Sequence, residues 1–285
     1  VLVGLVPNAS NHLYRAGSGV HQAWIARRHR SHWRRRYTEW VDRAAIAQER
    51  VAIRSARWVI CNSEQVRVDM KRVHGVPHER LRVIRTGVDL ERFKPDSAVR
   101  TTARSAWRVP EQGRVALFVG RGFRRKGLKT AVTAFRRVAT LDDRMVVVGE
   151  DGGSWAARPL LQTLLGRQLV WMGRVADLSQ WLVGADALLL PTRYDPAANV
   201  TLEAMACGVP PVTTQRDGNH EIVPHSSLVV QNPEDVPAVA HALTAAWALG
   251  SDPSLRAAAE AWPVSRNANE LLSLIKDWHE EARQT

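Results

Sequence analysis

Three short segments carry side chains suited to chemistry. The first is Gly120-Arg121-Gly122-Phe123-Arg124-Arg125-Lys126-Gly127, directly after the apolar run that starts at Val115. Glycines here let a backbone approach a ligand closely. Arg121 and Lys126 are spaced to clamp a diphosphate. A leaving diphosphate gains negative charge as its bond to carbon breaks. Fixed cations stabilise that charge more in the transition state than in the ground state. Taken alone, the segment is equally a solvated basic turn.

The second segment is Tyr194-Asp195-Pro196-Ala197-Ala198-Asn199-Val200-Thr201-Leu202-Glu203. Asp195 precedes a predicted helix and Glu203 lies one turn inside it. Asn199 and Glu203 share a helical face. Amides at a helix start bind anions, and a nearby carboxylate can accept hydrogen bonds from vicinal hydroxyls. The plainer alternative makes Asp195 a helix cap and Glu203 a surface acid. The third segment, Gln215 to Glu221, follows another apolar run and by itself is only a turn.

The elements that must position these segments alternate between strand and helix. Strands are expected over 56–62, 81–84, 115–120, 145–149, 169–172, 186–191 and 209–214, and Val1 to Pro7 also reads as a buried strand. Helices are expected over 21–57, from Ser63 to His74, and over 128–140, 177–184, 199–207, 235–248 and 267–283. Ser63 suits an N-cap, and Gly75 and Gly208 suit helix ends. Such alternation predicts doubly wound parallel sheets, with ligands beyond the carboxyl ends of the strands. A linker at Phe93-Lys94-Pro95 divides a first domain, 1–95, from a second, 96–262. A last helix, 263–285, is expected to cross back to the first domain.

The 285 residues suffice for two domains, and the apolar fraction of 45 % is that of a globular chain. No run approaches the roughly 18 apolar residues of a membrane span. Cys61 and Cys207 lack metal-ligand spacing and read as reduced thiols of a cytosolic protein. The formal net charge is +12. Through Pro95 there are 19 Lys+Arg against 8 Asp+Glu, so the excess belongs to the first third. Its centre holds Arg27, Arg28, Arg30, Arg34, Arg35 and Arg36. This run suits a solvated helical face, an anionic membrane surface or phosphorylated glycan acceptor, or nucleic acid, in that order. The near-neutral remainder argues against nucleic acid.

Taken together, these segments resemble glycosyltransferase family 4, whose members are retaining enzymes of the GT-B fold. ICNSEQVRVDMKRVHGVPHERLRVIRTGVDLERFKP is similar to the end of that family's first domain and its linker. VGRGFRRKGL resembles its diphosphate loop. YDPAANVTLEAMACGVPPVTT resembles its paired-acid motif, and GNHEIV the sugar-contact loop that follows. The resemblance implies an α/β GT-B chain of two Rossmann-like domains with parallel sheets. It implies that Arg121 and Lys126 hold the donor diphosphate, Glu203 the ribose hydroxyls, and that Asp195 faces the donor sugar. Main-chain groups at Asn199 and Val200 would meet the phosphates, and those near Arg174 and Val175 the base. Gly218 would lie against the donor. It implies no cofactor and no metal, with a nucleotide-diphosphate sugar, UDP-sugar favoured, as donor substrate.

Departures from the pattern sharpen the expectation. Asp195 stands where the family usually has glutamate. LYRAGSGVHQAW resembles the acceptor-side loop of lipopolysaccharide core glucosyltransferases but lacks their aspartate near Gly17 or Ser18. His21 is the nearest polar candidate for a ligand contact, with a structural helix-start histidine as the alternative. About 95 residues precede the linker, where roughly 150–200 suit such a domain, so the first domain is expected to be incomplete. The implied function is hexose transfer to a cell-envelope glycan or glycolipid, in the cytoplasm and peripheral to the inner membrane face. An inactive nucleotide-sugar-binding relative is the alternative, and a basic nucleic-acid-binding protein a weaker one.

Overall fold

The computed structural model describes residues 3–4, 12–28, 32–150 and 154–284. The chain forms two compact units. One comprises Val1–Gly87, Tyr194–Ala197 and Val264–Thr285, and the other Val88–Arg193 and Ala198–Pro263. Each is built on a parallel sheet, the α/β arrangement of Rossmann-like units.

The first unit holds strands β1 (Val3–Gly4), β2 (Leu13–Arg15), β3 (Trp58–Cys61) and β4 (Leu81–Val83), adjacent in that order and parallel throughout. Alternate residues face opposite ways. Tyr14, Val59, Cys61 and Leu81 pack with Ala23, Ala52, Val66 and Met70 from the helices His21–Arg28, His32–Ser55 and Glu64–His74. Leu13, Trp58, Ile60 and Ile84 face Leu274 of the helix Val264–Gln284. The helix expected over 21–57 is thus two helices, with residues 29–31 outside the described ones. Ser63 caps Glu64–His74 by accepting the Val66 N–H at 3.3 Å, and Gly75 closes it at φ 65°. Of the strand expected over 1–7, Val3–Gly4 is the described part.

The second unit holds β5 (Val115–Val119), β6 (Arg144–Val148), β7 (Leu169–Gly173), β8 (Ala187–Leu189), β9 (Pro211–Thr214) and β10 (Val229–Val230). Their order is β10-β9-β8-β5-β6-β7, all parallel. Near-continuous apolar strands such as VALFV and RMVVV suit a sheet buried on both faces. Strand β5 pairs with both β6 and β8, so the strand order reverses there. At such a switch point the segments after the two strands diverge and leave a crevice.

Several elements escaped the sequence pattern. Helix Ser97–Ala106 is short and presents only small apolar side chains, Val99 and Ala103, to the core. It starts on Asp96, which accepts from Ala98 and Val99, and is held by Arg100 and Arg104 to Asp186. Helix Ser154–Leu165 contains Pro159, and Pro253–Glu260 is rich in alanine. Strands β2 and β10 are very short. The helix expected over 177–184 contracts to Ser179–Leu182.

Candidate donor site

The segment after β5 is more ordered than a basic turn. Gly122 and Gly127, at φ 73° and 83°, bracket a single helical turn, Phe123–Lys126. A Cβ on Gly127 would lie 2.0 Å from the Pro191 carbonyl oxygen, so only glycine lets this turn sit against the end of β8. The Arg193 N–H donates to the Arg125 carbonyl at 2.8 Å and joins the same two segments. Lys126 is 8 % exposed, and its stem runs so close over Gly120 that a Cβ there would meet Lys126 Cγ at 2.9 Å. Arg121 is exposed. The two cations thus differ: one is set into the sheet end, the other stands in solvent.

Glu203 lies on helix Asn199–Ala206, which follows β8. It is half-buried rather than a surface acid. Burial pushes its carboxyl up to about 7, and the positive charges of Arg92 and Lys126 oppose that rise. Asn199 is exposed at the first helical position, and Val200 is buried behind it.

Arg92 was not singled out by the sequence. Its guanidinium donates to Asp177 Oδ1 at 2.9 Å, and that hydrogen bond holds the Asp177 carboxyl below the usual carboxylate range. Asp177 also accepts the Ser179 hydroxyl at 2.8 Å. Arg174 and Val175 fill the short stretch between β7 and Asp177, Arg174 exposed and Val175 half-buried. The basic side chain Arg92 and its partner come from distant parts of the chain, so no local motif marks them.

Asp217 takes the capping role that the sequence offers Asp195. The N-cap of Asn199–Ala206 is Ala198, whose N–H donates to Asp217 Oδ1 at 2.8 Å. The same carboxylate accepts the Asn219 N–H at 3.0 Å, the Thr201 hydroxyl at 2.7 Å and the Thr213 hydroxyl at 2.9 Å. It is wholly buried. Gly218, also buried, begins the short 3-10 turn Gly218–Ile222 that this carboxylate pins. The one readable signal was Asp-Gly-Asn, a turn sequence.

Two expected site residues lie in the first unit. Asp195 is buried in the segment Tyr194–Ala197. Its neighbours anchor that segment: the Tyr194 hydroxyl accepts the Val20 N–H at 2.7 Å, and Ser63 Oγ donates to the Pro196 carbonyl at 2.6 Å. His21 opens helix His21–Arg28, with Nε2 3.0 Å from Asp42 Oδ1 and its N–H directed at the Glu49 carboxylate. That is the network of a helix-start histidine. Of the basic run, Arg27 pairs with Asp69 at 3.0 Å and Arg28 with Asp42 at 2.5 Å. They are structural ion pairs here. Arg30 and the side chains of Arg34, Arg35 and Arg36 lie outside the described residues. Among the described residues no group of three or more His, Cys, Asp or Glu could hold a metal ion, and no helix is long and apolar enough to cross a membrane.

Comparison with known proteins finds two family models that match separate parts of the chain. The family model for group 1 glycosyl transferases matches residues 113–248, and that for Glycosyltransferase Family 4 matches residues 10–92. The chain is 31 % identical over 189 residues to D-inositol 3-phosphate glycosyltransferase 1 of Catenulispora acidiphila, covering 61 % of this chain and 45 % of that protein. It spans about half the length of the first curated relatives it matches. Its fold is similar to that of HepE from Anabaena in complex with UDP, with a TM-score of 0.76, 19 % identity, and 93 % and 72 % of the two chains covered. It is also similar to WaaG, a glycosyltransferase involved in lipopolysaccharide biosynthesis, with a TM-score of 0.73, 22 % identity, and 90 % and 71 % covered.

Proposed function

The chain belongs to the group 1 and family 4 glycosyltransferases, and from that premise we propose that it moves a hexose from a nucleotide-diphosphate sugar to a cell-envelope glycan or glycolipid. The anomeric configuration is retained and no metal is used. A UDP-sugar is the favoured donor, in keeping with the UDP held by the HepE structure. A lipopolysaccharide-type acceptor is in keeping with the likeness to WaaG.

The observation that carries this reading is the placement of Lys126, Arg92 and Glu203. Lys126 at the end of β5 and Arg92 both act on Glu203, on the helix after β8. Strands β5 and β8 are neighbours at the reversal of strand order. A diphosphate beside Lys126 would gain stabilisation as charge develops on it, which is why a fixed ammonium can replace a metal. Glu203, once ionised, would accept the ribose diol. Arg121, in solvent, would meet the diphosphate from outside. Asn199 and Val200 amides would complete its cradle, Arg174 and Val175 would border the base, and Gly218 would lie against the sugar.

Attachment to an anionic inner membrane face belongs to the same proposal. On helix His32–Ser55, Trp40 is 77 % exposed and Val41 69 %. The Arg43 guanidinium lies over the Trp40 ring, 5.6 Å from its centroid. An exposed indole beside basic residues suits a headgroup layer.

A thermal-shift panel of nucleotides and nucleotide sugars tests the donor site. UDP or a UDP-sugar should raise the melting temperature of the wild type and not of Lys126→Ala. A panel in which no nucleotide shifts the wild type would end the proposal. Binding without turnover toward any acceptor would favour the inactive relative.

A further inference from the structure

The carboxyl edge of the first unit's sheet collects three polar groups that the described residues leave unsatisfied. Arg15 ends β2, in register with Ile60 of β3. Asn62 comes two residues after Ile60. Ile84 donates its N–H to the Cys61 carbonyl at 2.9 Å, which sets Ile84 beside Asn62, and Thr86 follows two residues on. Leu13, Ile60 and Ile84 share the face under helix Val264–Gln284. By strand alternation Arg15 and Asn62 continue that face at its carboxyl edge.

Each of the three has a want that no described residue fills. Asn62 is 5 % exposed. Its Nδ2 donates to the Gly17 carbonyl at 3.3 Å, which fixes the amide orientation, because a carbonyl can only accept. Its Oδ1 is then buried without a donor, and Thr86 Oγ1 is buried without a partner. Among the described residues the Arg15 guanidinium meets no carboxylate and no hydrogen-bond acceptor, although it is half-buried. Burial alone acts on it and lowers its pKa from the ordinary value. A buried donor or acceptor left unmet is destabilising, and a charge more so. The edge is also approachable. Gly17 and Ser18 are exposed, and a Cβ on Gly17 would meet nothing within 4 Å.

We propose that Arg15, Asn62 and Thr86 form a binding subsite for a sugar or polyol that carries an oxyanion. The guanidinium fork takes the phosphate or carboxylate, which offers two parallel acceptors. Asn62 Oδ1 takes a hydroxyl proton from the same molecule, and Thr86 Oγ1 bonds a second oxygen. A neutral sugar would leave Arg15 unpaired, and inorganic phosphate would leave Asn62 Oδ1 without a carbon-borne hydroxyl. This deepens the transferase reading, on which it rests only in taking the occupant to be the acceptor.

The test is binding of glucose 6-phosphate, glucuronate, glucose and inorganic phosphate by calorimetry, to the wild type and to Arg15→Met, Asn62→Ala and Thr86→Val. At least one anionic sugar should bind the wild type tenfold or more tightly than glucose, and whichever of the two binds names the anion. Arg15→Met should lose that binding at least tenfold, while its ligand-free melting temperature stays equal or rises, since a half-buried unpaired charge is removed. Asn62→Ala and Thr86→Val should weaken it several-fold and act as controls should Arg15→Met misfold. UDP titration, read in the same samples, should be unchanged in all three. Loss of UDP binding from the wild type would count against the donor site alone. Equal affinity of the anionic sugars and glucose, or undiminished binding by Arg15→Met, would overturn the subsite.

Discussion

Asp217 Oδ1 accepts the Ala198 N–H at 2.8 Å, so a buried carboxylate from the loop after β9 caps the helix that carries Glu203. The same carboxylate also ties in Thr201, Thr213 and Asn219. The helix start, the strand end and the turn at Gly218 are therefore one piece. Asp217→Ala would leave several buried donors unmet, each worth roughly 1–3 kcal/mol. A loss of about 3 kcal/mol or more in urea denaturation is expected, with weaker UDP binding. Asp217→Asn keeps one acceptor oxygen and should lose less of both.

Glu203 gives the donor site a pH dependence with a definite sign. Its carboxyl is raised from 4.5 to about 7 by burial, so it is largely neutral at pH 6 and ionised at pH 8. A ribose diol donates to the ionised form. UDP affinity should therefore strengthen from pH 6 to 8 in the wild type and stay flat in Glu203→Gln. Stability runs the other way. A raised folded-state value means the contribution is fully present below about 4.5 and is lost as pH rises through about 7. Glu203→Gln should accordingly melt above the wild type at pH 8.5, and a lower melting temperature there would contradict the burial argument.

Arg92 tunes that same carboxyl from a distance. Its charge lowers the Glu203 pKa against the effect of burial, while its guanidinium is held by Asp177. Arg92→Ala should displace the midpoint of the UDP-binding pH profile to higher pH. An unchanged midpoint would mean that solvent screens Arg92 from Glu203.

Lys126 and Arg121 were indistinguishable as spaced cations in the sequence, and the fold separates them. Lys126 is buried at the strand end over Gly120, whereas Arg121 is exposed. A preorganised, desolvated charge stabilises a developing anion far better than a solvated one. Lys126→Ala should lower kcat about 100-fold or more. Arg121→Ala should act mainly on the KM for donor, by about tenfold or less, in line with the smaller worth of a screened surface charge. Steady-state kinetics with a radiolabelled nucleotide sugar would separate the two, and equal losses in kcat would refute the distinction.

The legible parts of the molecule are those whose partners are close in sequence. The apolar strands Val115–Val119 and Arg144–Val148 announce a parallel sheet because both of their faces are buried. Ser63 and Gly75 announce a helix because cap and chain are contiguous. Lys126 and Glu203 were visible because each sits in a compact motif at a strand end. Arg92 was not, since Asp177 is 85 residues away. Asp217 carries only a turn signal in the sequence, because Ala198, Thr201, Thr213 and Asn219, whose groups it accepts from, are scattered over separate segments. Arg100 and Arg104 grip Asp186, more than 80 residues away, so the ion pairs that help hold helix Ser97–Ala106 have no local sequence signal.

Tyr194 belongs to the motif that suggested Asp195, yet its work in the first unit is structural. Its hydroxyl accepts the Val20 N–H across 174 residues, and its ring is stacked with Trp24 and covered by the Arg27 guanidinium. Gly19 at φ 74° is a condition of that contact, because a Cβ there would lie 2.3 Å from the hydroxyl oxygen. Tyr194→Phe keeps the ring contacts and leaves the Val20 N–H unmet. It should cost about 1–3 kcal/mol in urea denaturation. Gly19→Ala should cost more, since it adds a steric clash to a left-handed backbone. Because Val20 immediately precedes His21, amide hydrogen exchange at the start of helix His21–Arg28 should accelerate in Tyr194→Phe. Wild-type protection there would show that the hydroxyl does not hold the helix start.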